Sequence, residues 1–276
     1  MVRYYYEDER WPWRPDGFLR RFLRKKKQVP RSAPRLRSGQ ARDDKQESGP
    51  RALDLGMGYG RNALWLAERG YAVEGWETDR RYLAEARREA RLRLGFGGQA
   101  RRRTGKLIVR RGDFTRARFR GPYDVIVVSN ALHQVRRSAA LRVLARARAA
   151  LAPGGRLFLL VKLTRDRYFQ RIKKDVSWAP VPGERNTLRR RRVPEAPKYW
   201  RGRKRGRRWT LSALTPQEIR TALRGSRGQA RGRPRRQARG RLRILWYREA
   251  VLRSDWQEPE PVTHDSAEVV AERERK

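Results

Sequence analysis

Short apolar runs and amphipathic stretches alternate along the first half of the chain. "RALDLG" (51–56) is apolar and ends on glycine, which predicts a buried strand. "RNALWLAERG" (61–70) places Ala63, Leu64 and Ala67 on one helical face, with Gly70 as its C-cap. "YAVEGWE" (71–77) predicts a second strand, and "RRYLAEARREARLRLG" (80–95) a helix ending at Gly95. "KLIVRRGD" (106–113) and "YDVIVVSN" (123–130) predict a third and a fourth strand, the latter apolar enough for the middle of a parallel sheet. "RSAALRVLARARAALAPGG" (137–155) predicts a helix stopped by Pro153-Gly154-Gly155, and "RLFLLVKL" (156–163) a fifth strand. Strands alternating with helices imply an α/β fold with a parallel, doubly wound sheet.

Beyond Leu163 the period fails, and 165–208 mixes Pro, Trp and basic clusters. Regularity returns in "TLSALTPQEIRTALRG" (210–225). There Thr215, Pro216 and Glu218 occupy N-cap, N1 and N3 of a capping box. "GRLRILWYREAVLR" (240–253) and "AEVVAERERK" (267–276) predict two late strands, and "GFLRRFLRKK" (17–26) an amphipathic helix near the start. The chain divides into an N-terminal helical segment (1–24), a basic linker rich in Pro, Ser and Gly (25–50), and a domain from 51 to 276. That domain carries basic insertions at about 165–208 and 224–243. No internal repeat is present.

Charge adds a second layer. The 276 residues carry a formal net charge of +42, and the excess is concentrated. Residues 186–208 hold nine arginines, two lysines and one glutamate; residues 224–243 hold nine arginines and no acid. Such stretches fit non-specific binding of nucleic acid or another polyanion, and fit a solvated, Arg-rich insertion slightly better. No cysteine is present, which excludes disulfides, cysteine–zinc sites and a thiol nucleophile. No visible ligand cluster calls for a metal. No apolar run reaches the length of a membrane span, and the start has no secretory h-region, so a cytoplasmic setting is expected.

The chemistry concentrates in "LDLGMGYGRN" (53–62), where Gly56, Gly58 and Gly60 follow a strand and precede a helix. Such a turn lets backbone approach a ligand at the carboxyl end of the first strand. A P-loop requires Lys-Ser or Lys-Thr after the last glycine, and Arg61-Asn62 stands there. A dinucleotide turn is G-x-G-x-x-G, and here the third glycine comes one residue early. Asp54 at the entry would repel a phosphate and attract an ammonium or sulfonium. Glu77, at the end of the second strand, can accept both hydroxyls of a ribose. Asp113 and Phe114, after the third strand, offer an acceptor for an exocyclic amine beside an aromatic face for a purine. Together these residues describe a cationic nucleoside with an amino-acid tail, S-adenosylmethionine.

Residues 51–163 resemble the class I S-adenosylmethionine-dependent methyltransferases. "LDLGMGYG" is similar to the glycine motif of that family, "VEGWE" to its second-strand acidic motif, "GDF" to its adenine-contact motif, and "LAPGGRLFLL" to the entry of its fifth strand. "GRNALWLAERGY", the Trp before the ribose carboxylate, "LTPQEIRTAL" and "ILWYREAVLR" look most like the tellurite-resistance methyltransferases, which act on small molecules. Met57 stands where that family usually has Cys, and Glu77 where Asp is commoner. The resemblance implies a seven-stranded, mostly parallel Rossmann-like sheet and methyl transfer from S-adenosylmethionine to a small-molecule acceptor. The alternatives are an RNA- or ribosome-directed methyltransferase docking through its Arg-rich insertions, and a catalytically silent nucleic-acid-binding module. "SNALHQ" after the fourth strand lacks the Pro-Pro-aromatic motif of base amino-methyltransferases, and cytosine C5 chemistry needs an absent cysteine.

The candidate cofactor residues are therefore Asp54, Gly56, Gly58, Gly60, Arg61, Glu77, Asp113, Phe114 and Asn130. Asp54 reads alternatively as a cap on the turn, Glu77 as a solvent carboxylate at a strand end, and Asp113 as a plain turn residue. Arg61 reads equally as a partner of the cofactor carboxylate and as a solvent-facing residue. Asp79 fits the N-cap of the next helix. Tyr4–Tyr6 resemble an N-terminal segment that closes over the cofactor, or form an aromatic staple. Of the only two histidines, His133 follows the fourth strand and reads as structural. His264, in "PVTHDS", is the candidate catalytic residue, near a late histidine of the tellurite group.

Overall fold

The computed structural model describes residues 15–23, 49–94, 105–191, 210–225, 241–254 and 262–275. Tyr4–Tyr6, nearly all of the 25–50 linker and most of both Arg-rich stretches lie outside the described residues.

Five parallel strands form the sequence-predicted half of the sheet: β1 (Arg51–Leu55), β2 (Ala72–Glu77), β3 (Leu107–Arg111), β4 (Tyr123–Ser129) and β5 (Leu151–Lys162). The helices between them are α2 (Arg61–Ala67), α3 (Arg80–Leu94) and α4 (Arg137–Ala150), and α1 (Gly17–Phe22) precedes them. The full sheet has seven strands in the order β3-β2-β1-β4-β5-β10-β9, completed by β9 (Leu242–Ser254) and β10 (Val262–Arg273). β10 runs antiparallel to both neighbours, so the sheet is mostly parallel, as the doubly wound reading requires.

Period-two burial divides the core. Leu53, Leu55, Ile126, Val128, Leu157 and Leu159 face the helix layer of α4 and α6 (Pro216–Arg224). Ala52, Val73, Val125, Val127 and Phe158 face α1, α2 and α3. Opposite burial of adjacent residues is what a strand covered on both faces demands. Thr215 and Glu218 close both halves of the expected capping box of α6.

Three elements differ from the sequence reading. α4 ends at Ala150, before Pro153-Gly154-Gly155, which sits inside β5 as a register irregularity against β4. There Gly155 backs onto backbone, since a Cβ would lie 2.7 Å from the carbonyl oxygen of Tyr123. β10 begins at Val262, five residues before the expected strand, and so takes in His264. Residues 165–191, read as irregular, fold into α5 (Arg167–Lys173) and the antiparallel β6 (Trp178–Val181) and β7 (Glu184–Arg190). These join β8 (Thr210–Ser212) in a small second sheet. Each element is too short for a periodicity signal. Their order comes from a separate cluster of Tyr168, Phe169, Ile172, Leu188 and Leu211.

Candidate functional site

The glycine turn leaves β1 at Gly56, whose N–H and that of Met57 both donate to the Trp76 carbonyl, at 2.9 and 3.0 Å. This ties the turn to the end of β2. Gly56, Gly58 and Gly60 take φ values of 70°, 56° and 87°, the left-handed region that favours glycine. Their surroundings differ. A Cβ on Gly56 would lie 2.6 Å from the Ala131 Cβ and 3.4 Å from the Phe114 ring, so the chain after β4 presses on the turn. A Cβ on Gly58 would meet nothing within 4 Å, so at this residue the turn faces open space. Gly60 is the N-cap of α2. Met57 is buried over Gly75, where a Cβ would stand 2.2 Å from its sulfur; the glycine in "VEGWE" makes that room.

Asp54 is 1% exposed, and its Oδ2 has no hydrogen-bond partner among the described residues. Its carboxylate accepts from the Ala63 N–H, so it also serves as a remote cap on α2. Burial, followed by the charge of Asp16, pushes its pKa up to about 7, against the opposing pull of Arg61 and the Ala63 bond; Glu77 adds a small upward push. A half-satisfied buried carboxyl of this kind costs stability and is a candidate to meet a positively charged ligand. Glu77 turns its carboxylate across the same edge. Oε2 accepts from the Gly58 N–H at 3.1 Å, and Oε1 from the N–H groups of Thr78 and Asp79 at 2.6 and 2.8 Å. Asp79 accepts from the Arg81 N–H at 3.0 Å, as expected of the residue opening α3.

Arg61, read as a partner of the cofactor carboxylate or as solvent-facing, has a partner from the start of the chain. It ion-pairs with Asp16 at 2.5 Å, and Asp16 also exchanges two bonds with Asn62, each under 3 Å. α1 is thereby anchored to the first turn of α2. Asp113 lies exposed after β3, with Oδ1 accepting from Thr115 N–H and Oγ1. Phe114 is buried against the glycine turn. Asn130, at φ 53°, donates its N–H to Leu160 as the chain leaves β4. Asp54, Glu77, Asp113 and Asn130 thus all sit at the carboxyl edge of the parallel strands.

His264 lies at that edge on β10, beside the end of β5. Its Nδ1 is 3.0 Å from Asp166 Oδ2, and Lys162 Nζ is 3.1 Å from both ring nitrogens. Equal distances to both nitrogens mean that the ammonium is not in line with either lone pair. Asp166 also caps α5 through the Phe169 N–H. Lys162 is 1% exposed, and burial pushes its pKa down to about 8 against the charge of Asp166. His133, on a short 3-10 turn (Leu132–Gln134), is equally buried. Sequence reasoning passed over Asp16, Lys162 and Asp166. Lys162 did leave a trace, a lone ammonium closing the apolar run "RLFLLVK"; Asp16 lay too far from the turn to be linked to it.

Residues 52–155 match the family model of a methyltransferase domain. Over that stretch the chain is similar to methyltransferase domains. Its cofactor is S-adenosylmethionine, and the orphaned Asp54 oxygen beside an open glycine turn fits that cation. No curated protein matches the chain. Among solved structures, an S-adenosylmethionine-dependent methyltransferase from Methanosarcina mazei is 19% identical, with a TM-score of 0.56 over 83% of this chain and 94% of that one. TehB from Haemophilus influenzae is 15% identical with a TM-score of 0.52, over 83% of this chain and 59% of that one. Magnesium protoporphyrin IX methyltransferase from Synechocystis PCC 6803 is 15% identical with a TM-score of 0.50, over 83% and 74%. These likenesses establish the Rossmann-like methyltransferase fold.

Proposed function

We propose that the carboxyl edge of the sheet holds S-adenosylmethionine and delivers its methyl group to a small-molecule acceptor. The observation that carries this reading is the unpartnered, buried Oδ2 of Asp54 beside the open face of Gly58. In this reading Asp54 meets the positive charge of the methionine portion, and Gly56, Gly58 and Gly60 let the backbone come close. Glu77 receives the ribose hydroxyls, giving up one of its bonds to the turn. Asp113 and Phe114 flank the adenine, and Asn130 borders the site from β4. Arg61 acts at one remove, by holding Asp16 and so setting the charge around Asp54. The cofactor supplies an electrophilic methyl group on a cationic sulfur; the chain supplies orientation and exclusion of water. The acceptor is small because the polar groups next along the edge, His133, Lys162 and His264, are at most 3% exposed, which a macromolecular target would not reach. The methyltransferase domain would then run from residue 51 to the end, with 165–191 as a cap on the acceptor side.

Glu77→Ala is expected to weaken cofactor binding roughly ten- to a hundredfold, because a hydrogen bond to a charged group contributes about 1.5–3 kcal/mol. Titration calorimetry with S-adenosylmethionine measures this, and unchanged affinity would remove Glu77 from the site. The acceptor class is tested by offering selenite, tellurite, thiols and total RNA separately with methyl-labelled cofactor. Label is expected in a small acceptor. Transfer to RNA alone would replace this reading with an RNA-directed enzyme docking through the Arg-rich stretches.

A further inference from the structure

In a chain of net charge +42, acidic groups gather at the glycine turn. Asp16, Asp54 and Glu77 bring carboxylates there, and Arg61 a guanidinium. Asp16, Arg61 and Glu77 stand close enough for their charges to be felt at Asp54. Asp16 is the unexpected member. It precedes α1, outside residues 52–155 that match the family model, and meets Arg61 across 45 residues of chain. Its place is fixed on three sides. The Asp16 carboxylate accepts from Arg61 Nη2 at 2.5 Å and from Asn62 Nδ2 at 2.8 Å, and its own N–H donates to Asn62 Oδ1 at 2.9 Å. Behind it Phe18 and Leu19 are buried, with the Phe18 ring packed against Phe158 and Trp246. Asp54 accepts from the N–H of the next residue, Ala63. Residues 61, 62 and 63 therefore draw two buried carboxylates together, and one of them, Asp54, keeps an oxygen without a partner among the described residues.

We propose that Asp16 is a specificity-determining residue of the cofactor site, and that its charge makes the site hold S-adenosylmethionine in preference to the demethylated product, S-adenosylhomocysteine. The inference rests on the cofactor reading of this edge and adds a discrimination to it. S-adenosylmethionine carries an ammonium, a carboxylate and a sulfonium, a net single positive charge. S-adenosylhomocysteine keeps the first two and has a neutral thioether, so its net charge is zero. Contacts to the adenine, the ribose and the amino-acid end are common to both, and the sulfonium is the chief difference. A turn that sets Asp16, Asp54 and Glu77 against Arg61 alone is short of positive charge, and the sulfonium supplies it. Methyl transfer removes that charge, so the attraction weakens at the moment the product must leave. Asp16 acts at a distance, as a fixed charge locked onto the turn by Arg61 and Asn62. Arg61 acts with the opposite sign, by neutralising part of that charge.

The test is the ratio of the two affinities, measured by calorimetry with S-adenosylmethionine and S-adenosylhomocysteine on the full chain and on two variants. The unaltered chain is expected to bind S-adenosylmethionine the more tightly. Asp16→Asn can keep its bonds to Asn62 but loses the charge. Its preference for S-adenosylmethionine should fall by roughly fivefold to thirtyfold, the effect of one nearby charge in a partly buried site. Arg61→Gln leaves Asp16 without its counter-charge, and the preference should rise by a similar factor. A clasp that only held α1 in place would weaken both ligands alike in both variants and leave the ratio where it was. If Asp16→Asn does not fold, the unaltered chain and Arg61→Gln decide alone. S-adenosylhomocysteine bound at least as tightly by the unaltered chain, or a ratio that the folded variants leave unmoved or shift in the same direction, would overturn the proposal while leaving the cofactor site in place. Failure of the unaltered chain to bind either compound would overturn both.

Discussion

Asp54→Asn is expected to abolish S-adenosylmethionine binding and, at about pH 8, to make the protein more heat-stable. The two effects share a cause. The folded protein raises the Asp54 pKa from 3.8 to about 7, chiefly by burial, so the ionised carboxylate is unfavourable there. Between those two values the folded state holds a proton that the unfolded state has released. Stability therefore falls as pH rises through this window, and the full cost is present above pH 7. An amide carries no charge and still accepts from the Ala63 N–H. The gain should be a few degrees in Tm near pH 8, at roughly 2–4 °C per kcal/mol, and should vanish toward pH 4. Ligand binding moves the opposite way. A cofactor cation pairs with the ionised form, so affinity should fall as the pH drops below about 7. Removing one partner of a buried ion pair costs about 3–5 kcal/mol, a loss of more than a hundredfold. Thermal melts and calorimetry at two pH values read both effects. A destabilised Asp54→Asn that still binds would make Asp54 a cap on α2 and nothing more.

Gly58→Val should remove cofactor binding with only a modest loss of stability. At φ 56° a side chain is strained, by about 1–2 kcal/mol for an ordinary residue and more for a β-branched one. Nothing in the protein stands within 4 Å of the new Cβ, so the fold has no further reason to break. The added methyls project into the space left open above the turn, beside the N–H that Glu77 accepts from. Gly56→Ala forms the contrast. Its Cβ would collide with Ala131 at 2.6 Å, so the turn and the chain after β4 would have to separate, and folding itself should suffer. Circular dichroism with a cofactor titration separates the two variants. Normal binding by folded Gly58→Val would mean that this turn is not the cofactor loop.

The parallel half of the sheet was legible because each strand is apolar, each helix amphipathic, and each junction punctuated by glycine or a capping residue. The glycine turn and its two carboxylates were legible for the same reason: closely spaced glycines and acidic residues stand out at the ends of apolar strands. The buried polar cluster around the end of β5 was much less so. Lys162, Asp166, His133 and His264 come from four elements and meet only through the pairing of β5 with β10 and the docking of α5. Tertiary contacts of that kind leave no spacing in the sequence. The Asp16 partner of Arg61 was not legible for a similar reason, because Asp16 reaches it from the start of α1, 45 residues earlier. The second sheet escaped notice because strands of three to seven residues among arginines have no period long enough to read.

Calorimetric titration of the purified chain with S-adenosylmethionine at about pH 8, in parallel with Gly58→Val, addresses the cofactor site most directly. The expected result is saturable one-to-one binding by the unaltered chain and no measurable heat from a variant whose circular dichroism is native. Absence of binding by the folded, unaltered chain, or equal binding by both proteins, would contradict the assignment of this turn as the cofactor site.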